Sequence, residues 1–378
     1  MKSSLIFATG ATAAAVANSS YLTWTADSQI RHGVRKTFGY TQATLYEGYE
    51  AAIALTHNQT LVDWYRGQID PLVAANGSIV NWNSTHYSLD DYRIGNNFLW
   101  WYDRTGEQKF KTAANTIREQ LNRHPQNNEG GFWHRAPVYK DQMWLDGIFM
   151  ADTFYATWTR KFDSDNATAW NHIVHQFDTI EKYTRNTTTG LLVHGYDESK
   201  SKVWADPVTG AAPHVWSRAV GWYFMALLET IPLLPATHPG RARLVRYFTT
   251  LSAALKKTQD ASGGWWLIME EPYPGAEGNY IESSASAMFT YGLLRGMQDG
   301  YLREREYLSS AKKGYHLLTS RFNTVRADGT LDWQGTVEVG SLGGNATYEY
   351  YIGVPLVVND YKGVGPFMLA SYEMEIRK

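Results

Sequence analysis

The sequence predicts an all-α chain of six helical hairpins, an inner ring of helices inside an outer ring, with short β elements and loops gathered at one end. Three observations predict it. Helical periodicity comes in pairs separated by turn signals. The first helix of several pairs is apolar almost all round, while the second is amphipathic. A short glycine-plus-aromatic or aliphatic segment recurs roughly every 60–75 residues, the mark of an internal repeat.

In chain order, the first pair covers 40–57 and 61–74 and turns at the Asn58 sequon; the second, 89–104 and 107–123, turns at Gly106. The third, 143–160 and 167–184, breaks at the Asp163 to Asn166 cluster, and the fourth, 216–233 and 241–258, between Pro235 and Gly240. The fifth is 284–302 with 305–321, and a sixth pairs the N-terminal segment with 364–375, bringing the chain ends together. A helix such as MWLDGIFMADTFYATW belongs inside, and one such as KFKTAANTIREQLNR faces water. The recurring segments are Gly130–Trp133, Gly190–Val193, Gly263–Trp266 and Gly329–Trp333. These parts leave closure open, since a bundle or a superhelical array uses the same hairpins. Residues 18–378 read as a single domain without linker or charge block.

Composition narrows the function. Lys+Arg of 35 against Asp+Glu of 37 provides no polycationic surface for a phosphate backbone or an anionic leaflet, so neither nucleic acid nor membrane is an expected partner. The chain holds 15 Trp and 25 Tyr, flat amphipathic rings of the kind that stack on sugar faces. With no cysteine, thiol catalysis and thiolate metal sites are excluded. Residues 1–17 read as a secretory signal peptide cleaved after Ala17 in Ala15-Val16-Ala17. Seven N-x-S/T sequons, at Asn18, Asn58, Asn76, Asn83, Asn166, Asn186 and Asn345, exceed chance and favour a secreted, extracellular glycoprotein.

Three groups of residues carry candidate chemistry. Ser88 with Asp91 has the spacing of a capping box, which accounts for Asp91 and leaves Asp90 as either a pocket carboxylate or a dipole complement. Asp146 and Asp152 are the only charges within 143–158, and six residues apart they fall on different faces. A carboxyl buried among Trp and Met has its neutral form favoured, so Asp146 reads as a general acid or as a structural Asp bonded to backbone or Arg. His194, His214, Trp216, Arg218 and Trp222 form the third group, with both tryptophans on a predicted inner helix. An arginine fork between two indoles suits a uronic acid; ordinary packing with a core ion pair is the alternative. His134, His194 and His214 lack metal-ligand spacing, and no phosphate-binding loop occurs, so no metal or cofactor is expected.

From about residue 38 onward the chain resembles the unsaturated rhamnogalacturonyl hydrolases of glycoside hydrolase family 105. The stretches that carry the resemblance are LDDYRIGNNFLWWYDRTGEQKF, GFWHR, DQMWLDGIFMADTFYA, VHGYDES, WSRAVGWYFMAL and NDYKGVGPF, in family order. It implies an (α/α)6 barrel with an anionic-sugar pocket at one end. It also implies removal of the unsaturated galacturonyl residue from the non-reducing end of lyase-generated rhamnogalacturonan, by hydration of a vinyl ether. Asp146 then matches the catalytic acid/base and Asp90 the second pocket aspartate. His194, Trp216, Arg218, Trp222 and Trp144 match substrate-contacting positions, His134 and Arg135 a cationic pair, and Tyr40 a pocket tyrosine. Phe38 and Ala43 depart from the common Trp and Gly, which alters the entrance, and the Asn345 sequon falls in the matching GNATYEYY stretch. The alternatives are an unsaturated glucuronyl hydrolase and a non-catalytic carbohydrate-binding barrel.

Overall fold

The computed structural model describes residues 20–377; the expected leader 1–17 and the Asn18 sequon lie outside the described residues. Among the described residues the helices form two concentric rings. The inner ring is α2 (Tyr40–Thr56), α4 (Ile94–Thr105), the run α6 (Leu145–Gly147) to α7 (Thr153–Phe162), α9 (Ser217–Thr230), α11 (Ser283–Gln298) and α14 (Tyr361–Glu375). The outer ring is α3 (Gln59–Ile69), α5 (Gln108–Leu121), α8 (Ala167–Thr184), α10 (Pro239–Lys257), α12 (Glu304–Arg321) and α1 (Tyr21–His32). A short α13 (Tyr348–Ile352) precedes α14.

Every expected hairpin is present, and α1 pairs with α14 as the sixth. Ser20 Oγ donates to Glu375 Oε2 at 2.7 Å, tying the two ends together. The array closes because α14 packs on α2 as well as on α11, which makes this an (α/α)6 barrel rather than an open superhelix. Glycines permit that seam. A Cβ on Gly365 would sit 2.4 Å from the Thr44 carbonyl oxygen, and one on Gly48 would sit 2.8 Å from Met368 Cβ.

The recurring glycine segments prove to be one device. After α3, α5, α8, α10 and α12 the chain makes a tight turn closed by Gly77, Gly130, Gly190, Gly263 and Gly329, each with φ between 77° and 101°. Within each turn the glycine N–H donates back three or four residues, as from Gly130 to Asn127 O at 3.0 Å and from Gly263 to Asp260 O at 2.9 Å. Only glycine adopts that left-handed conformation without strain. The Gly77 member was not among those recognised from sequence.

Some sequence boundaries are corrected. Gln142–Trp144 is a strand, β1, paired antiparallel with β2 (Gly195–Asp197), so Met143 and Trp144 are extended rather than helical. Ile148–Asp152 is a π-helical turn between α6 and α7, a wide turn often found at functional sites. Residues 89–92 form a 3-10 turn ahead of α4, and Trp216 is the N-cap of α9, not part of its body. Strand pairs β3 (Asn323–Val325) with β4 (Leu331–Trp333), and β5 (Thr336–Val337) with β6 (Leu356–Val357), complete the loop-rich end.

A buried histidine braces the loop that carries His134 and Arg135. Tyr92 OH donates to His124 Nδ1 at 2.9 Å, and His124 Nε2–H donates to the Trp133 carbonyl at 2.7 Å. Burial pushes the His124 pKa down from 6.5 to about 4, so the ring is neutral. Because the unfolded chain binds that proton first, stability is retained above the unfolded value and falls as pH drops from 6.5 toward 4. The expected loss from this group is about 3 kcal/mol. Urea midpoints measured across this range should show His124→Gln with a shallower acid slope than wild type; an unchanged slope assigns the acid sensitivity elsewhere.

Candidate active site

Inner helices point their N-terminal turns at one end of the barrel, and four of them carry expected site residues there. Tyr40 opens α2, Asp90 lies in the turn before α4, Asp146 is in α6, and Arg218 is the second residue of α9. They line a cavity of about 130 Å³ together with His134, Arg135, Trp144, Trp216 and Trp222. Converging helix N-termini favour an anion, which suits a uronate. A roomier cleft of about 630 Å³ beside Tyr183, Lys200 and Thr209 holds none of these residues. Convergent polar groups among aromatics mark the smaller cavity as the site.

The β1–β2 pair aligns Asp146 with His194. Leu145 N donates to His194 O at 3.0 Å, and His194 N donates to His214 O at 3.0 Å. These bonds bring His194 Nε2 to 3.2 Å from Asp146 Oδ2. His194 is fully buried behind Asp146 rather than on the cavity wall, and its Nδ1 lies 2.7 Å from Tyr351 OH. His214 is a support residue, its Nδ1 2.6 Å from Glu270 Oε1.

This arrangement corrects the expected ionisation of Asp146. Burial works to raise its pKa, but the neighbouring imidazoles of His194 and His134 outweigh that, and the group is held below the ordinary carboxylate value. The neutral buried carboxyl is Asp152 instead, whose pKa burial drives well up. The physical difference is the neighbour: Asp146 Oδ2 has an imidazole nitrogen 3.2 Å away, whereas Asp152 is only 1% exposed and burial alone acts on it. As their spacing implied, Asp152 is not on the cavity wall.

Asp90 is clamped from two directions. Arg135 Nη2 donates to its Oδ2 at 2.7 Å, and His134 Nε2 stands 3.6 Å from its Oδ1. His134 stacks on Trp144 with centroids 4.1 Å apart and planes 11° from parallel. Its burial lowers its pKa although Asp90 and Asp146 act to raise it, so burial works against the cationic form expected of His134. The capping box is also corrected. Ser88 Oγ accepts from Arg135 Nε at 3.1 Å instead of capping, and Asp91 Oδ2 lies 3.0 Å from His86 Nδ1. A 3-10 turn carries the Asp91 amide to the Ser88 carbonyl, which leaves the hydroxyl free for Arg135.

Arg218 is placed differently from the expected free clamp. Its Nη1 donates to Val337 O and its Nη2 to Glu338 O at 2.5 Å, while its guanidinium lies 4.8 Å from the Trp216 ring. The fork is already occupied by main chain, so Arg218 holds the strap Val339–Ser341 over the cavity and contributes charge. Trp222 meets Tyr40 edge-on at 6.2 Å and Phe149 in a stack at 4.7 Å.

Sequence reading missed Tyr139, Met150, Val339, Gly340 and Ser341 on the cavity wall, and Tyr351 behind it. The aromatic run Tyr348-Glu-Tyr-Tyr351 was the available signal for Tyr351. The others sit on loops or on the π turn, where helical periodicity does not apply.

A closed (α/α)6 barrel with two carboxylates in an indole-lined cavity at its N-terminal end is the build of a glycoside hydrolase. Residues 13–378 match the family model for Glycosyl Hydrolase Family 88. A Clostridium acetobutylicum ATCC 824 glycoside hydrolase from family 105 is 36% identical, covers 95% of this chain and 100% of its own, and superposes with a TM-score of 0.90. The chain therefore belongs to the family 88 glycoside hydrolases, on the family 105 side. Protein Atu3128 of Agrobacterium fabrum is 40% identical over 196 residues, 49% of this chain and 82% of that protein. The unsaturated rhamnogalacturonyl hydrolase YesR of Bacillus subtilis is 26% identical over 212 residues, 55% of this chain and 58% of that protein.

Proposed function

We propose that this hydrolase removes the unsaturated galacturonyl residue from the non-reducing end of lyase-generated rhamnogalacturonan oligosaccharides. The observation that carries the reading is Asp146, set against His194 in a small cavity walled by Trp144, Trp216 and Trp222. A cavity of only about 130 Å³ suits a single sugar at a chain end better than the middle of a polymer. The likeness to YesR, an unsaturated rhamnogalacturonyl hydrolase, supports the galacturonyl specificity.

Chemically, Asp146 delivers a proton to carbon 4 of the vinyl ether and then takes one from the water that adds at carbon 5. The hemiketal so formed opens and releases the remaining saccharide, and the carboxyl ends in its starting state. Free Asp146 is a carboxylate, and it takes up a proton from solvent as substrate binds, because a uronate carboxylate in the same cavity is a like charge that raises its pKa. Asp90, held by Arg135, orients the sugar.

The test is loss of the ultraviolet absorbance of the conjugated double bond on lyase-digested rhamnogalacturonan, beside unsaturated glucuronyl disaccharides. Carbon 4 carries no configuration, so discrimination comes from the aglycone. Faster loss on the galacturonyl-rhamnose unit is expected. Preference for glucuronyl disaccharides reassigns the substrate, and inactivity on both removes the proposal.

We also propose a secretory route. Its support is the leader-like start and the exposure of Asn58, Asn76, Asn83, Asn186 and Asn345. Asn166 is less open, because it caps α8 by accepting from Ala169 N at 2.9 Å. Mass spectrometry of protein from the medium should find Asn18 as the first residue; retention inside the cell contradicts the route.

A further inference from the structure

Tyr351 is fully buried, and its hydroxyl has a single partner, His194 Nδ1 at 2.7 Å. The other ring nitrogen, Nε2, lies 3.2 Å from Asp146 Oδ2, close enough for an ion pair but off the line of a hydrogen bond. A carboxylate can only accept and repels a bare nitrogen lone pair at that distance, so the ring is favoured with its hydrogen on Nε2. In a neutral ring the opposite nitrogen is then a bare acceptor, which the Tyr351 hydroxyl satisfies by donating. Tyr351 is also fixed in rotation, because its ring stacks on Trp216 with centroids 5.9 Å apart and planes 24° from parallel. The main chain of His194 is pinned separately through its bonds with His214 and Leu145. What remains free is the imidazole's tautomer and tilt, and only Tyr351 touches the atom that decides them.

We propose that Tyr351 is a positioning residue for the hydrolysis, acting through His194 to keep the hydrogen on the ring nitrogen beside Asp146. This rests on the reading of Asp146 as the acid/base. Without the tyrosine hydroxyl, the buried ring keeps its Nε2–H only by leaving Nδ1 unpaired. The opposite tautomer turns a bare nitrogen toward the carboxylate, which no longer has a donor to balance its charge during the two proton transfers. The residue lies on α13, ten residues after the end of the strap Val339–Ser341. One connecting segment therefore both roofs the cavity and sets the proton on the histidine behind the acid.

The experiment compares wild type, Tyr351→Phe and Tyr348→Phe. Tyr348 sits on the same short helix, but its hydroxyl donates to the exposed Glu277 carbonyl at 2.8 Å. Nitrogen-15 NMR of the His194 ring in wild type should show hydrogen on Nε2 and none on Nδ1. Tyr351→Phe should give mixed tautomers and a fall in kcat on the order of 10–100-fold, by analogy with outer partners of metal-ligating histidines. Its KM should stay within about twofold, and Tyr348→Phe should match wild type. A wild-type ring bearing hydrogen on Nδ1 overturns the proposal, as does Tyr351→Phe with unchanged kcat or an equal loss in Tyr348→Phe. The NMR arm needs no turnover, so it still decides the tautomer if the proposed substrate proves wrong.

Discussion

Asp146→Asn should leave the barrel folded and lower kcat by about 10³-fold or more, within the range general acid–base groups supply. The substitution keeps size and shape, so Trp144, Trp216 and the stacked His134 stay where they are. What disappears is the ability to give a proton to one carbon and accept another from water, and an amide can do neither. Substrate affinity measured by calorimetry should change far less than kcat, because the walls and the helix N-termini remain. The carboxylate also leaves a trace in stability. Its folded pKa is depressed, so its contribution is present above the ordinary carboxylate range and lost as pH falls through the folded value. Acid denaturation of Asp146→Asn should lack that component. Activity near the wild-type level would remove Asp146 from the chemistry.

Gly195→Ala is expected to be the most damaging small substitution around the site. Gly195 is paired with Trp144 across the β1–β2 ladder, one residue from His194 and two from Asp146 in the facing strand's continuation. A Cβ there would lie 2.5 Å from the Met143 carbonyl oxygen and 3.0 Å from the Trp144 Cα. Both are main-chain atoms, so no side chain can rotate away. The strands must part, at a cost of about 1–3 kcal/mol for overpacking. The same parting stretches the Leu145 N to His194 O bond of 3.0 Å, which keeps acid and histidine together. A misplacement of about 1 Å is enough for a loss on the order of 10²-fold in kcat. Denaturant unfolding and steady-state kinetics should therefore both respond; a variant with wild-type stability and turnover would show that the ladder does not position the pair.

Much of the site was legible because its residues stand at helix starts, where a polar residue ahead of an apolar run is conspicuous. Asp90, Asp146 and Arg218 are of this kind, and the structure brings them to one cavity with Tyr40, Trp144, Trp216 and Trp222. Roles were harder to read than positions. The lowered pKa of Asp146 depends on His194, nearly fifty residues later, and the occupied fork of Arg218 depends on carbonyls more than a hundred residues away. The resemblance implied that His134 is half of a cationic pair, but burial beside Trp144 lowers its pKa. Tyr351 escaped notice because a tyrosine carries no sequence sign of the partner its hydroxyl will find.

Local sequence determined the hairpins, the alternation of buried and wetted helices, the glycine turns after the outer helices and the aromatic content of the pocket. Each follows from backbone conformation or from the period of apolar residues, which act over one or two turns. Tertiary structure alone decided that the ring closes α14 on α2, that a π turn follows Asp146, and which proton each buried group holds. Those outcomes depend on distances between residues far apart in the chain. A pKa or a hydrogen-bond partner is set by what packs within a few ångströms, and that is known only once the chain has folded.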